Sequence, residues 1–534
     1  MLRVEEMTPE QKLGFVICAK TTSEDNTQFF FELLEKNAGC CVQVPVNDCA
    51  KGLIEQYRSK VDYPILVVND MEEGYVNSSV PRLPMCTLGA ANNPEYTKAF
   101  AAILAKQARE DGFSGCWGPV IDLAYTANCP FGNTRVISDS AEGMMPFARD
   151  ILSVFKSYHF QGCAKHYPGG PGAPDTPSQS DEGSVDNHIA PTASRVSEAV
   201  LRKHIRETYL TLWNEGLMPS IMVSHTDFPN IDPVYPASIS KKIIGMLRDE
   251  GYDGLIYTDS FSMLSIRQRF GSANAMVAAL NAGVDVILPN NNVPARENYQ
   301  MLVDAYYAGQ IDENMLNNAV RRIISLAQWC AEAPKHPYSI PEDMDGYVRN
   351  IIRDSITAQC ADGVSPAVDP DEKRLFVVLE RMRVPSTDGL NEVTLENTYD
   401  ENRVIKAIKA NFHNAEIVTT PEYPWSTDTH KVMQAVVRHE KCIVVTFSSG
   451  QAFLGVDCLT RRTEAMIKAI ALGGKLEGIV HIGNPFALNT IPYCDRKLLG
   501  YRTAEAQDYI FEVLAGKYPA RGVMPFPKLQ KSKI

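Results

Sequence analysis

Through the first two-thirds of the chain, short apolar and β-branched runs alternate with longer stretches of helical period. The runs are LGFVICA (13–19), GCCVQVP (39–45), YPILVVND (63–70), SGCWGPVIDL (114–123), QGCAKHYP (161–168), PSIMVSHTDFP (219–229), DGLIYTDS (253–260) and VDVILP (284–289). Between them, segments such as EYTKAFAAILAKQAREDG (95–112) and SKKIIGMLRDEG (240–251) repeat apolar residues at helical spacing. Eight strands alternating with helices predict an α/β fold, a TIM-like (β/α)8 barrel. An open doubly wound sheet is the alternative, because the number of strands does not establish closure.

The pattern changes after Asn317. A helical stretch, NNAVRRIISLAQWCAEA, ends the barrel, which we assign to residues 1–335. Residues 336–373 read as a connecting helix and a linker ending in the Pro-, Gly- and Asp-rich ADGVSPAVDPDEKR (361–374). Residues 374–534 carry further strand candidates, LFVVLE (375–380), AEIVTT (415–420), KCIVVTFSS (441–449) and EGIVHIGNP (477–485), and predict a smaller α/β sandwich.

Composition narrows the partners more than the fold. A chain of 534 residues exceeds what one core normally organises, in agreement with two domains. A net charge of −12 argues against nucleic acid or an anionic membrane as partner. No apolar run approaches the length of a membrane span, and the N-terminus lacks the basic-then-apolar order of a signal peptide. The 13 cysteines are scattered and contain no C-x-x-C pair, which suits buried thiols in a reducing compartment; the expectation is cytoplasm. Phosphate-binding loops, metal-ligand spacings and a G-x-S-x-G elbow are absent from the sequence, so no cofactor and no metal are expected.

Candidate chemistry lies at the ends of the runs. Asp70, Asp122, Lys165 with His166, His225 with Asp227, and Asp259 all follow apolar strands, and in a parallel barrel such ends converge on one mouth. For each there is a plainer reading. Asp259, at the end of DGLIYTDS, suits a nucleophile or a stabiliser of positive charge, and equally a helix cap. Adjacent residues on a strand point to opposite faces, so Lys165 and His166 share a ligand only if the backbone departs from regularity. In SVDNH, Asp186 could orient His188 as an acid–base dyad, or both could sit on a solvated loop.

The order of these motifs resembles glycoside hydrolase family 3, in particular its bacterial β-N-acetylglucosaminidase branch. MTPEQKLGF is similar to the family's opening helix, VVNDMEEG (67–74) to the segment bearing a sugar-binding Asp, and WGPVIDLAY (117–125) to its F-x-P-V-x-D strand. FGNTRVISDSAE resembles the Asn-Arg segment that reaches substrate, and AKHYPGG (164–170) the K-H-F-P-G motif. IMVSHTDFPNID, PASIS and LRDEGYDGLIYTDSFSM follow in the family's order. The resemblance implies a retaining, exo-acting β-N-acetylhexosaminidase that acts on a small carbohydrate through a covalent glycosyl–Asp intermediate. It implies Asp259 as nucleophile, His188 and Asp186 as acid/base dyad, and Asp70, Asp122, Arg135, Lys165, His166 and His225 as substrate-binding residues. The loop before the dyad, GGPGAPDTPSQSDEGSV, is about ten residues longer than the family's, which keeps Asp175, Asp181 or Glu182 as alternative acids; the family's β-glucosidase branch, whose second domain supplies a Glu, adds a Glu of residues 370–534. β-Glucosidase, β-xylosidase or phosphorylase activity on the same scaffold, and an inactive carbohydrate-binding protein, are the competing functions; the resemblance leaves room for a homodimer.

Overall fold

The structure is a computed structural model that describes residues 3–124, 134–169, 186–385, 392–394, 398–448 and 459–527. It comprises two compact units. The first is Met1–Ser79, Thr97–Thr126 and Ser140–Met344; the second is Val80–Tyr96, Ala127–Asp139 and Asp345–Ile534.

In the first unit, seven strands pair in chain order and in parallel: β1 (Ala19–Lys20), β2 (Cys41–Gln43), β3 (Leu66–Asn69), β4 (Gly115–Cys116), β5 (Gln161–Tyr167), β6 (Ser220–Val223) and β7 (Leu255–Thr258). The eighth apolar run closes the ring with a parallel bridge on each side, Val286 to Tyr257 and Ile287 to Ile17. The Thr258 N–H donates to the Val286 carbonyl (3.0 Å) and the Cys18 N–H to the Ile287 carbonyl (2.9 Å). Closure decides for the barrel over the open sheet. Strands β4 and β5 approach so closely that a Cβ on Gly115 would lie 2.4 Å from the Cβ of Gln161. Buried Gln161 donates to Ser220 Oγ (3.0 Å) and Tyr257 OH (2.9 Å), satisfying polar atoms inside the barrel.

One expected strand is cut short. Leu13–Phe15 of LGFVICA belongs to helix α1 (Pro9–Phe15). Thr8 Oγ1 accepts from the Gln11 N–H and the Gln11 side chain accepts from the Thr8 N–H, a capping box that starts a helix and carries it through the first apolar residues. Extended backbone begins only beyond it.

The second unit is built on a six-stranded sheet ordered β12-β9-β13-β14-β15-β8, with β8 (Thr357–Cys360), β9 (Arg374–Glu380), β12 (Ala415–Pro421), β13 (Cys442–Phe447), β14 (Leu476–Ile482) and β15 (Arg496–Gly500). A separate antiparallel hairpin joins β10 (Arg383–Pro385) to β11 (Glu392–Thr394). Taken in chain order, the five parallel strands stand as 2-1-3-4-5, a doubly wound arrangement. The chain steps from β9 to β12 in one direction and from β13 to β15 in the other, so right-handed crossovers put helices on both faces. Helices Glu401–Asn411 and Ala506–Leu514 pack together, as do Ser426–Val437 and Arg461–Leu472. Two strands escape the hydrophobic pattern. TAQC and RKLLG, the antiparallel pair β8 and β15, are half-exposed along part of their length and carry polar side chains there. Among the described residues no helix is long and apolar enough to cross a membrane.

The strand ends of this sheet enclose His481. Its ring nitrogens face Thr446 Oγ1 (2.9 Å) and Ser448 Oγ (3.1 Å), and Ser448 Oγ also accepts from the Asn484 N–H (2.9 Å). Burial pushes the imidazole down to about 4. An unfolded chain takes up this proton near pH 6.5 and the folded one only near 4, so stability is full above 6.5 and falls as pH drops through that window. We expect the wild type to lose about 2 kcal/mol between pH 7 and pH 5 from this residue alone. Urea unfolding of wild type and His481→Gln at both pH values checks it: the variant should lose that much less, and equal losses would refute the assignment.

Candidate active site

All seven strands of the barrel run the same way, so their C-terminal ends open on one side. Asp70 directly follows β3, His225 lies two residues past β6, and Asp259 directly follows β7. Asp122 arrives differently, on a segment that runs beside β5. There Val120 bridges Lys165, and the Ile121 N–H donates to the Lys165 carbonyl (2.8 Å).

The departure from regular strand geometry that would let Lys165 and His166 face one ligand is present, for a visible reason. Lys165 pairs with Met222 and Tyr167 with Val223, so β6 passes over His166 and the register shifts. Both side chains therefore work at the mouth. The peptide between them is cis. Lys165 is 2% exposed and its ammonium lies 2.7 Å from Asp70 Oδ1 and 3.3 Å from Glu72 Oε2. Two carboxylates offset the desolvation of one buried cation. Asp70 remains 55% exposed and so presents acceptor capacity to the opening. Asp122 grips His166 twice, accepting from its backbone N–H (3.1 Å) and from Nδ1–H (2.7 Å), which fixes the tautomer and aims Nε2 at Asp259 Oδ2, 4.0 Å away. Gly169, in the following turn, has φ +112°, and a Cβ there would lie 2.5 Å from His204 Nε2, so only glycine suits the position.

Asp259 is not a helix cap: the next helix, Leu264–Phe270, is preceded by Met263 at its N-cap. The Asp259 N–H donates to the Val223 carbonyl (2.9 Å), and its carboxylate accepts from the Ser260 N–H (2.7 Å). Burial alone would raise its carboxyl. His166, His225, the Ser260 amide and His188 outweigh burial, and the carboxyl titrates below its ordinary range. It is therefore an anion at neutral pH. His225 stands behind it, buried, with Nε2–H donating to the Ser260 carbonyl (3.0 Å) and Nδ1 facing Ser238 Oγ (2.8 Å). Burial lowers its affinity for a proton against the pull of Asp259. With both nitrogens engaged by protein, His225 braces the backbone that follows Asp259.

Asp186 and His188 form the expected pair. Asp186 is buried, and its Oδ1 accepts from His188 Nδ1–H (2.7 Å) and from the His188 N–H (2.9 Å). One carboxylate thus sets both the turn and the imidazole tautomer. His188 also contributes to the field on Asp259. Asp175, Asp181 and Glu182 lie outside the described residues. Of the expected site residues, Asp70, Asp122, Lys165, His166, Asp186, His188, His225 and Asp259 belong to the first unit, and half-buried Arg135 to the second. Sequence reasoning missed Glu72 and Ser238. Glu72 could have been found from its place two residues beyond Asp70 in NDMEEG; Ser238 carries no signal, since only folding puts it against His225.

A closed parallel barrel with an ionised carboxylate, a paired imidazole and a buried lysine at its strand ends has the arrangement of a barrel enzyme, whose chemistry stands at that face. Residues 45–326 match the family model described as "Glycosyl hydrolase family 3 N terminal domain", and the chain belongs to glycosyl hydrolase family 3. Among its relatives, a "Beta-N-acetylglucosaminidase/beta-glucosidase" of Cellulomonas fimi is 21% identical over 337 residues, which span 60% of this chain and 57% of that protein. A "Beta-hexosaminidase" of Thiobacillus denitrificans is 27% identical over 255 residues, or 45% of this chain and 67% of the other. The fold is that of the family 3 β-N-acetylglucosaminidase from Paenibacillus sp. str. FPU-7, with a TM-score of 0.78 at 22% identity over 98% of this chain and 99% of that one. A β-glucoside phosphorylase shares it at 0.78 and 16% identity, over 99% and 96%.

The field on Asp259 gives a pH prediction. His166 is the leading attraction that opposes burial, so His166→Gln should let the carboxyl rise. The acidic limb of kcat/KM, along which activity is lost as Asp259 protonates, should then move to higher pH. A limb that stays in place would show that His166 does not govern the charge.

Proposed function

We propose that the chain is a retaining, exo-acting β-N-acetylglucosaminidase. In the first step an Asp259 carboxylate oxygen attacks the anomeric carbon, the glycosidic C–O bond breaks, and His188 Nε2 protonates the departing oxygen. In the second, Nε2 takes a proton from water as the water oxygen displaces Asp259, restoring both groups. Asp186 holds Nδ1–H throughout and stabilises the imidazolium that donates the proton. Asp70, Lys165 and His166 hold sugar hydroxyls.

One observation carries this reading: an Asp–x–His pair bonded at 2.7 Å within the electrostatic environment of a carboxylate kept ionised at a barrel mouth. The hexosaminidase names of the relatives support the 2-acetamido sugar. A reducing, cytoplasmic setting is part of the proposal, supported by the described cysteines, which are free.

Phosphorolysis is the second reading, favoured by the same imidazole. Once it has given up its proton it is neutral, whereas a carboxylic acid would become a second anion beside Asp259 and repel phosphate.

Incubation with a 5-fluoro N-acetylglucosaminyl fluoride or an activated 2-fluoro glucoside, followed by peptide mapping, should find the sugar on Asp259. Asp259→Asn should lower kcat/KM by about a thousandfold or more. Near-native turnover in that variant would end the proposal. Aryl N-acetylglucosaminides should outrun the corresponding glucosides and xylosides, and release of free sugar rather than sugar 1-phosphate in phosphate buffer separates hydrolysis from phosphorolysis.

A further inference from the structure

Of the polar strand ends, Asp227 alone has no part in the chemistry above. Its carboxylate faces the helix beyond the nucleophile, where one terminal nitrogen of Arg269 lies 2.9 and 2.7 Å from its two oxygens. Its backbone faces the segment that carries the dyad. The Asp227 N–H donates to the Thr192 carbonyl (2.9 Å), the Ser194 N–H donates to the Asp227 carbonyl (2.8 Å), and Ala193 bridges Asp227 in parallel. The dyad end of that segment is fastened to the same helix: Leu264, its first residue, donates its N–H to the His188 carbonyl (3.2 Å). Between them, Asn187 Oδ1 accepts from Thr192 Oγ1 (2.5 Å).

These contacts form a closed circuit. It runs from the His188 carbonyl to Leu264, along the helix to Arg269, across the ion pair to Asp227, through Thr192 and Ser194, and back through Asn187 to His188. The helix it uses begins five residues after Asp259, so the circuit fixes the acid/base against the nucleophile's own support.

We infer that Arg269 and Asp227 are positioning residues that hold His188 at its working distance from the bond to be cleaved. The inference rests on the reading of Asp186 and His188 as the acid/base. The pair is 32% and 20% exposed, so its share of global stability is small. Its consequence is geometric, because proton transfer requires the donor within hydrogen-bond reach of the leaving oxygen, and a misplacement of about 1 Å costs about a hundredfold.

The test compares two substrates with the same sugar. One bears a dinitrophenolate, which departs without a proton; the other bears an alkoxide, which needs one. In Arg269→Met and Asp227→Asn, kcat/KM should fall about tenfold on the alkyl glycoside and stay within about twofold on the dinitrophenyl one. The double variant should be no worse than the poorer single, since both cut one contact, and Arg269→Lys should recover most of the loss. The ratio of the two substrates does not depend on how much enzyme is folded. Equal losses on both substrates, additive losses in the double variant, or no loss would each overturn the inference. His188→Ala separates the two levels. If it shows no leaving-group discrimination, the acid/base reading itself falls; if it discriminates and Arg269→Met does not, only the positioning role falls.

Discussion

The mouth of the barrel is organised around keeping one half-buried carboxylate charged. Moving an anion out of water is costly unless donors and positive charge replace its hydration. Asp259 obtains them from the Ser260 amide and from imidazoles on β5, past β6 and on the dyad segment. Each of these is itself held by another group: His166 by Asp122, His188 by Asp186, His225 by Ser238 and the Ser260 carbonyl. On the proposed mechanism, the side chains that compensate this carboxylate are also those that handle sugar and proton, so electrostatics and chemistry would constrain the same residues.

The carboxylates divide by the charge each neutralises. Asp70 and Glu72 spend theirs on buried Lys165, Asp122 and Asp186 each on one histidine, and Asp227 on Arg269. Asp259 has no single cation and instead shares several weaker partners. A carboxylate locked to one arginine would be a poor nucleophile, because attack would require breaking that pair; a diffuse field keeps it ionised and leaves an oxygen able to bond to carbon.

Membership of family 3 fixes the frame within which this site is read. The segment that follows Asp186 and His188 is tightly held, to the turn after β6 and to the helix after β7. The position of the pair is thus fixed by the anchored segment on its C-terminal side.

Periodicity and strand-end chemistry made the β/α alternation of the first unit, a second α/β unit and the candidate residues at the strand ends legible, because apolar alternation and the convergence of parallel strands are local and topological facts. Asp259, Lys165, His166 and the Asp186–His188 pair were visible as residue types at strand ends or in a short motif. Sequence could not decide closure of the ring, which depends on the bridges from Val286 and Ile287 to strands far away in the chain. Nor could it show how β5 slips past β6 at His166, which brings two neighbouring side chains to one mouth. Glu72, Ser238 and Arg269 meet Lys165, His225 and Asp227 only through contacts made across the fold. Single residues announce the chemistry they can do; the distances that make them do it together arise only when strands, turns and helices are packed.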